Sequence, residues 1–241
     1  MLVAARDHAS RVERAGERAR GVDSTRGGEP AFDAMSDEPC MKGVALRELL
    51  VWYAGSWEGG RERIRSAATS LPPELARYVH VDEPDLGLRR SAWYPAALCG
   101  AILDHVFRGI GPAEHARLVR EGTRAGAEKM LRGVYKRLFA MLATPSRYAR
   151  YVGRAWKQIH STGERYMVLT GPGRAESAIL DWGGHHPVLC EITTETMVVL
   201  FEHMGLANVQ ATQTSCVSRG SADCRALLTW EPQSGPRRVR A

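Results

Sequence analysis

Apolar residues fall at helical spacing through the first two thirds of the chain and alternate with polar residues only afterwards. Five segments have helical periodicity. They are "CMKGVALRELLVWYAGSW", "GGRERIRSAATSL", "AWYPAALCGAILDHVFRGIG", "PAEHARLVREGTRAGAEKMLRGVYKRLFAML" and "SRYARYVGRAWKQIHSTG", with a shorter turn at "PPELARYV". From residue 164 onward the pattern predicts a hairpin over "ERYMVLTGPGRAESAILDWG", a helix over "PVLCEITTETMVVLFEHMG" and two last strands, "ANVQATQTSC" and "DCRALLTW". The expected fold is α+β, with an N-terminal helical layer on a small antiparallel sheet and one helix between two C-terminal hairpins.

Composition divides the chain into a domain and two flanking segments. Residues 1–40 hold Phe32 as their only aromatic side chain, so we expect a disordered or loosely helical extension. Residues 41–231 are expected to form a single ligand-binding type of domain, and residues 232–241 a flexible tail. Met41 is an alternative to Met1 as the start of the chain.

The net charge of +6 is concentrated in one region. Residues 108–157 carry twelve Arg or Lys against three Glu. We interpret this basic region as the solvated face of helices, because no zinc-finger spacing, RNA-recognition signature or basic zipper accompanies it, and we expect no specific nucleic-acid partner.

Cysteine usage and hydropathy indicate a cytoplasmic protein. The five cysteines are an odd number, the N-terminus lacks the apolar core of a secretory signal, and no apolar run is long enough for a membrane span. The cysteines at 216 and 224, on either side of the turn "SRGSAD", are therefore interpreted first as thiols or thiolates.

Several segments resemble one family. They are "MKGVALREL", "LPPELARYV", "WYPAALCGAILD", "AEKMLRGVYKRL", "LCEI" and "TSCVSRGSADCRALLTW". Together they resemble a bacterial family related to the 4-vinyl reductase domain, which belongs with the haem-NO-binding and TRAPP folds and with the sensing domain of phenol- and xylene-responsive activators. The resemblance covers about residues 41–231. It implies an enclosed apolar cavity and a homodimer.

The aromatic-sensing domains hold a structural zinc ion with three cysteines and a glutamate. By this resemblance Cys190, Cys216 and Cys224 are the metal ligands, and Gln213 occupies the position of the glutamate. Amide groups are poor zinc ligands, so the fourth ligand is left open among His185, His186, Glu191, Asp223 and water. The alternative interpretation is that the three cysteines are small hydrophobic core residues.

Haem is not expected as a cofactor. His105, His160 and His203 fall on predicted helices, where packed or surface histidines are common, and the Tyr-x-Ser-x-Arg signature of the haem-NO sensors is absent. The adjacent histidines of "GGHHP" are expected in a solvated loop. No nucleophile elbow, phosphate loop or His-Glu-x-x-His motif is present, so no catalytic residues are assigned.

These observations favour a sensory or regulatory module, non-enzymatic and homodimeric, that binds a small apolar molecule. The expected pocket wall is aromatic and aliphatic: Trp93, Tyr94, Leu98, Ile102, Met130, Tyr135, Phe139, Trp156 and Trp182. Two alternatives remain open, namely an interaction protein that acts through its dimer surface without a ligand, and a reductase-like enzyme related to 4-vinyl reductase.

Overall fold

The computed structural model describes residues 38–132 and 144–232. Within these ranges the helices are α1 (Val44–Ser56), α2 (Gly60–Thr69), α3 (Pro73–Ala76), α4 (Ala96–Val106), α5 (Pro112–Arg132), α6 (Pro145–Lys157) and α7 (Pro187–His203). The strands are β1 (Cys40–Lys42), β2 (Trp93–Pro95), β3 (Glu164–Gly171), β4 (Arg174–Leu180), β5 (Gln210–Ser215) and β6 (Cys224–Thr229). The predicted α+β class, with an N-terminal helical layer and a later antiparallel sheet, is confirmed.

The C-terminal hairpins join into one antiparallel sheet of strand order β3-β4-β6-β5. The two hairpins meet where β4 pairs with β6, a register that places Ile179 opposite Cys224. Helix α7 connects them, and its buried face packs on the sheet through Phe201 and Val198. The sheet therefore brings the start of β6 close to the start of α7, although these points are far apart in the chain.

A second, two-stranded sheet pairs the strand before α1 with the strand before α4 and was not predicted. Strand β1 pairs antiparallel with β2, and Met41 lies opposite Tyr94. Each strand has three residues, too few to show the alternation by which a strand is recognised in a sequence. Cys40, the first residue of β1, is buried.

Helix α5 packs closely on α1 because it carries glycines at the crossing. A Cβ atom at Gly122 would lie 2.9 Å from the Tyr53 ring, and one at Gly126 would lie 3.5 Å from Cβ of Glu48. Glycine costs helix stability, and the close approach of α1 is what these two positions permit in return. Both helices contribute to the wall of the cavity described below.

Most of the basic side chains on α5 are engaged in ion pairs. Arg117 pairs with both Glu114 and Glu121 on its own helix, at 2.7 and 2.8 Å. Arg124 pairs with Glu202 of α7 at 2.7 Å. Much of the charge of the basic region on this helix is thus balanced within the fold.

Three predictions fall on residues outside the described ranges. They concern the extension before residue 38, the tail after residue 232, and the pocket residues Tyr135 and Phe139. None of the helices in the described ranges has the length and apolarity required to cross a membrane.

Candidate functional site

An interior cavity of about 120 Å³ lies between the helices and the larger sheet. Its wall is formed by β1, α1, α5, α6, β3 and α7, and apolar side chains dominate it. The apolar lining includes Met41, Val44, Leu49, Ala127, Met130, Val152, Trp156, Leu189, Ile192 and Leu200. The notable polar lining residues are Glu48, Thr123, His160 and Arg165.

The structure places only some of the expected pocket residues at this cavity. Met130 and Trp156 line it. Trp182 packs edge-on against Trp156 on the side away from the lining, with ring centroids 5.0 Å apart. The others lie elsewhere: Leu98 and Ile102 of α4 pack into the core cluster of the helical layer, and Trp93 and Tyr94 lie in β2. Helical periodicity identified these side chains as buried but could not indicate which buried face borders a cavity.

Arg165 is a buried cation whose Nε and Nη2 atoms are unpaired among the described residues. It occupies an inward-facing position of β3 and is 7% exposed. Its Nε and Nη2 atoms have no hydrogen-bond partner among the described residues, and its guanidinium group lies over the Trp156 ring at 5.7 Å. Desolvating a charged group without a compensating partner is strongly unfavourable, so this arginine needs an explanation. The sequence contained a signal for this position, because Arg165 is two residues before the apolar Met167 and so lies on the same face of β3. That signal was missed.

His160 lies beside Arg165 as a neutral imidazole. Its ring stacks on Trp156, with centroids 3.8 Å apart and planes inclined by 16°. Burial, and secondly the positive charge of Arg165, lower the pKa of His160 to about 3. At neutral pH the side chain therefore carries no charge, which is the form in which imidazole binds metals.

Glu48 places a buried carboxylate in the opposite wall. Its Oε1 atom accepts from Arg47 at 3.0 Å and from Arg90 at 2.6 Å, while Oε2 lies 3.4 Å from the ammonium group of Lys129. Burial raises the pKa of this carboxyl group, but the hydrogen bonds and charges of Arg90 and Lys129 outweigh burial and lower it. The Thr123 hydroxyl, also on this wall, is buried without a hydrogen-bond partner among the described residues.

A second site is formed by Cys190, Cys216, Cys224 and His185, whose ligand atoms all lie within 4.8 Å of one another. The Sγ atoms of Cys216 and Cys224 are 3.7 Å apart, and Nε2 of His185 is 3.3 Å from Sγ of Cys216. A tetrahedral zinc ion with metal–sulfur bonds of about 2.3 Å sets its sulfur ligands about 3.8 Å apart. The spacing of these side chains is therefore compatible with one tetrahedral ion.

The fold assembles this cluster from three places in the chain. His185 precedes α7, Cys190 lies in its first turns, and Cys216 and Cys224 lie at the end of β5 and the start of β6. The structure identifies His185 as the fourth donor of the cluster. Gln213, at the glutamate position of the resembling family, donates from Nε2 to Sγ of Cys190 at 2.7 Å.

The other candidate fourth ligands are engaged elsewhere. His186 pairs with Asp104 at 3.1 Å. Glu191 pairs with His115 at 2.6 Å, and Asp223 with Arg225 at 2.6 Å.

The three thiols have different acidities. Burial raises the pKa of Cys190 and of Cys224. At Cys216 burial acts in the same direction, but hydrogen bonds with Ser218 and with the other two cysteines outweigh it and lower the pKa. Metal binding by such a cluster releases protons, because each sulfur binds as a thiolate.

The donors around the cavity also suit haem. His160, Met41 and Tyr148 are described lining residues of types that ligate haem iron, and Arg165 can pair with a carboxylate of the porphyrin. A pocket for a large ligand usually measures about 300–1,000 Å³, so a macrocycle requires the helices to move apart from their present positions. The donor types therefore fit haem, and the cavity would have to widen.

Comparison with known proteins identifies the fold but no sequence relative. No family model and no curated protein sequence matches the chain. Among solved structures, an H-NOX protein from S. oneidensis in its Fe(II)NO state matches with a TM-score of 0.51 and 13% identity, over 79% of this chain and 99% of that one. The unliganded Fe(II) H-NOX protein from K. algicida matches with a TM-score of 0.55 and 11% identity, over 82% and 100%. An H-NOX structure from a study of haem distortion matches with a TM-score of 0.56 and 8% identity, also over 82% and 100%.

These matches correct one expectation and support another. The expectation that haem is not a cofactor was wrong. It relied on the absence of a short signature, whereas the matching structures are haem proteins that this chain matches over nearly their whole length. The resemblance to the haem-NO-binding fold is confirmed as a likeness of fold. The relation to 4-vinyl reductase stays a prediction. The chain is therefore similar in fold to the H-NOX domains.

Proposed function

We propose that this chain is a sensory or regulatory module that binds a ligand in the cavity between its helices and its sheet. The observation that carries the proposal is Arg165 in an apolar cavity wall, because two of its buried donors lack a partner among the described residues and a bound species is one way in which native proteins satisfy such groups. The H-NOX fold supports a sensory role and makes haem the first ligand to test.

If haem binds, His160, Met41 and Tyr148 are the side chains available to the iron, and Arg165 is available to a porphyrin carboxylate. Haem would supply an iron centre that coordinates a diatomic gas. The protein side chains would orient the macrocycle, keep His160 neutral for ligation and exclude water through the apolar lining.

Hemin titration followed by absorbance spectroscopy tests this proposal. We expect the wild type to take up one equivalent with a sharp Soret band, and His160→Ala to bind at least about tenfold more weakly with a displaced band, because an iron ligand is lost. Free imidazole should restore the wild-type band in this variant. His203→Ala, at an exposed histidine on α7, is the matched control and should behave as the wild type. Identical spectra and affinities for all three proteins would mean that hemin binds adventitiously.

We propose further that Cys190, Cys216, Cys224 and His185 hold a structural zinc ion. Three thiolates and one imidazole in a tetrahedron are a set that zinc favours. The ion would tie the start of α7 to the β5–β6 hairpin. Its expected effect on stability is given in the Discussion.

A homodimer is the third part of the proposal. Strand β3 lies at the edge of the described sheet and exposes Tyr166, Val168 and Leu169. Two copies can pair such edges antiparallel about a twofold axis, which satisfies backbone groups and covers the apolar side chains.

Light scattering with size-exclusion chromatography tests the dimer. We expect a dimeric wild type and a monomeric Val168→Lys variant, because a charge at the pairing edge must be desolvated in the interface. The control is Thr212→Lys, at an exposed position on the opposite edge strand β5, which should stay dimeric. A monomeric wild type would refute this part of the proposal.

A further inference from the structure

The cavity combines an apolar body with the positive group of Arg165. Arg165 is part of its lining, is 7% exposed, and has no ion-pair or hydrogen-bond partner for Nε and Nη2 among the described residues. Nε and Nη2 are the two donors along one edge of a guanidinium group. That edge binds a carboxylate with two parallel hydrogen bonds.

Among the charged and polar groups of the wall, Arg165 is the one that would select a ligand by its charge. Glu48 is already paired with Arg47, Arg90 and Lys129 on the helical side of the cavity. His160 is neutral because it is buried beside Arg165. Nε and Nη2 of Arg165 and the Thr123 hydroxyl are covered in the present conformation and have no hydrogen-bond partner among the described residues. A small shift of the wall would present them to an anionic ligand group and to a polar substituent.

The size of the cavity limits the apolar part of the ligand. Its volume is about 120 Å³. An apolar cavity of about 150 Å³ accepts benzene in another protein, so the space here suits a single ring or a short alkyl chain. Longer chains would require the wall to move.

We infer that the cavity binds a small apolar monocarboxylic acid, with its carboxylate held side-on by Arg165. This inference rests on the proposed function, because it names the ligand class of the same cavity. A free acid and a haem propionate present the same chemical group to the arginine, and the experiment below separates them.

Calorimetric titration of the full chain with matched acids and alcohols tests the inference. The probes are hexanoate against 1-hexanol and benzoate against benzyl alcohol. We expect each acid to bind the wild type at least about tenfold more tightly than its alcohol, because charge-assisted bidentate hydrogen bonds exceed neutral ones. Arg165→Met should abolish this preference, and Arg165→Lys should retain a reduced preference, because it keeps the charge without the fork. Arg174→Met, at an exposed arginine on β4, should bind as the wild type.

Thermal unfolding of the ligand-free proteins guards against a simple folding defect. Arg165→Met should unfold at the same temperature as the wild type or higher, because an apolar side chain replaces a buried cation whose Nε and Nη2 atoms lack partners among the described residues. If Arg165→Met does not fold, the test is the ratio of acid affinity to alcohol affinity in Arg165→Lys. A ratio equal to that of the wild type overturns the inference.

The remaining outcomes separate this inference from the proposed function. Equal affinity for acid and alcohol, or an acid preference that persists in Arg165→Met, overturns the carboxylate inference and leaves the cavity as a ligand site. Hemin binding through His160 without any binding of free acids also overturns it, while the sensory proposal stands. If hemin, acids and alcohols all fail to bind, both proposals are wrong.

Discussion

Cys216→Ser and Cys224→Ser are each expected to release the metal ion and to lower the free energy of unfolding by at least about 3 kcal/mol. The reason is that binding energy at a structural metal site becomes folding energy for the elements that it joins, here α7 and the β5–β6 hairpin. His185→Ala should lose the ion as well, because it removes the fourth donor. Elemental analysis and denaturant unfolding of protein purified without chelator provide the measurement.

Cys99→Ser and Cys40→Ser are the matched controls. Both thiols are buried and lie outside the cluster. Replacing either thiol with a hydroxyl leaves a buried polar group imperfectly paired, which costs about 1–3 kcal/mol without any change in metal content. If the wild type contains well below one equivalent of zinc, the three cysteines are core thiols, and all four serine variants should fall in this lower range.

Glu48→Gln is expected to destabilise the domain by about 1–3 kcal/mol at pH 7, because it weakens hydrogen bonds between a buried carboxylate and three cations. It should also flatten the dependence of stability on pH. The pKa of Glu48 is lower in the folded chain than its ordinary value. The ionised carboxylate therefore stabilises the fold above the pKa of the unfolded chain, about 4.3, and this stabilisation is lost as the pH falls through the folded value.

Urea unfolding of the wild type and Glu48→Gln from pH 7 to pH 3 measures this effect. The difference in stability between the two proteins should shrink as the pH falls. Glu128→Gln is the control, because Glu128 pairs with Arg132 on the exposed face of α5 and should change stability by less than about 0.5 kcal/mol. A difference that stays constant over the whole pH range would mean that Glu48 acts through packing alone.

The sequence led to three residues of the proposed metal site but not to the location of the cavity. Cys190, Cys216 and Cys224 were identified because a family pattern spaces them, and the structure brings them together. The fourth donor was not decided by the sequence, since five alternatives were open. The distances between ligand atoms place His185 in the cluster, while ion pairs engage His186, Glu191 and Asp223.

The cavity could not be located from periodicity. Leu98 and Trp156 are equally buried on predicted helices, yet only Trp156 borders the cavity. Arg165 was overlooked because an alternating pattern does not say which face of a strand is buried. That is decided only when the sheet packs on a helix.

By itself, the sequence determined the α+β class and the order of helices and hairpins, because helix periodicity, strand alternation and turn residues are local properties of the chain. The grouping of the three cysteines came from the family resemblance. The tertiary structure alone decided the β1–β2 pairing, the burial of Arg165 and His160 around one cavity, and the position of His185 beside the three cysteines. Each of these depends on contacts between segments that are distant in sequence. At 8–13% identity, the likeness to H-NOX domains is also visible only in the arrangement of the elements, because many different side chains can fill the same packed layers.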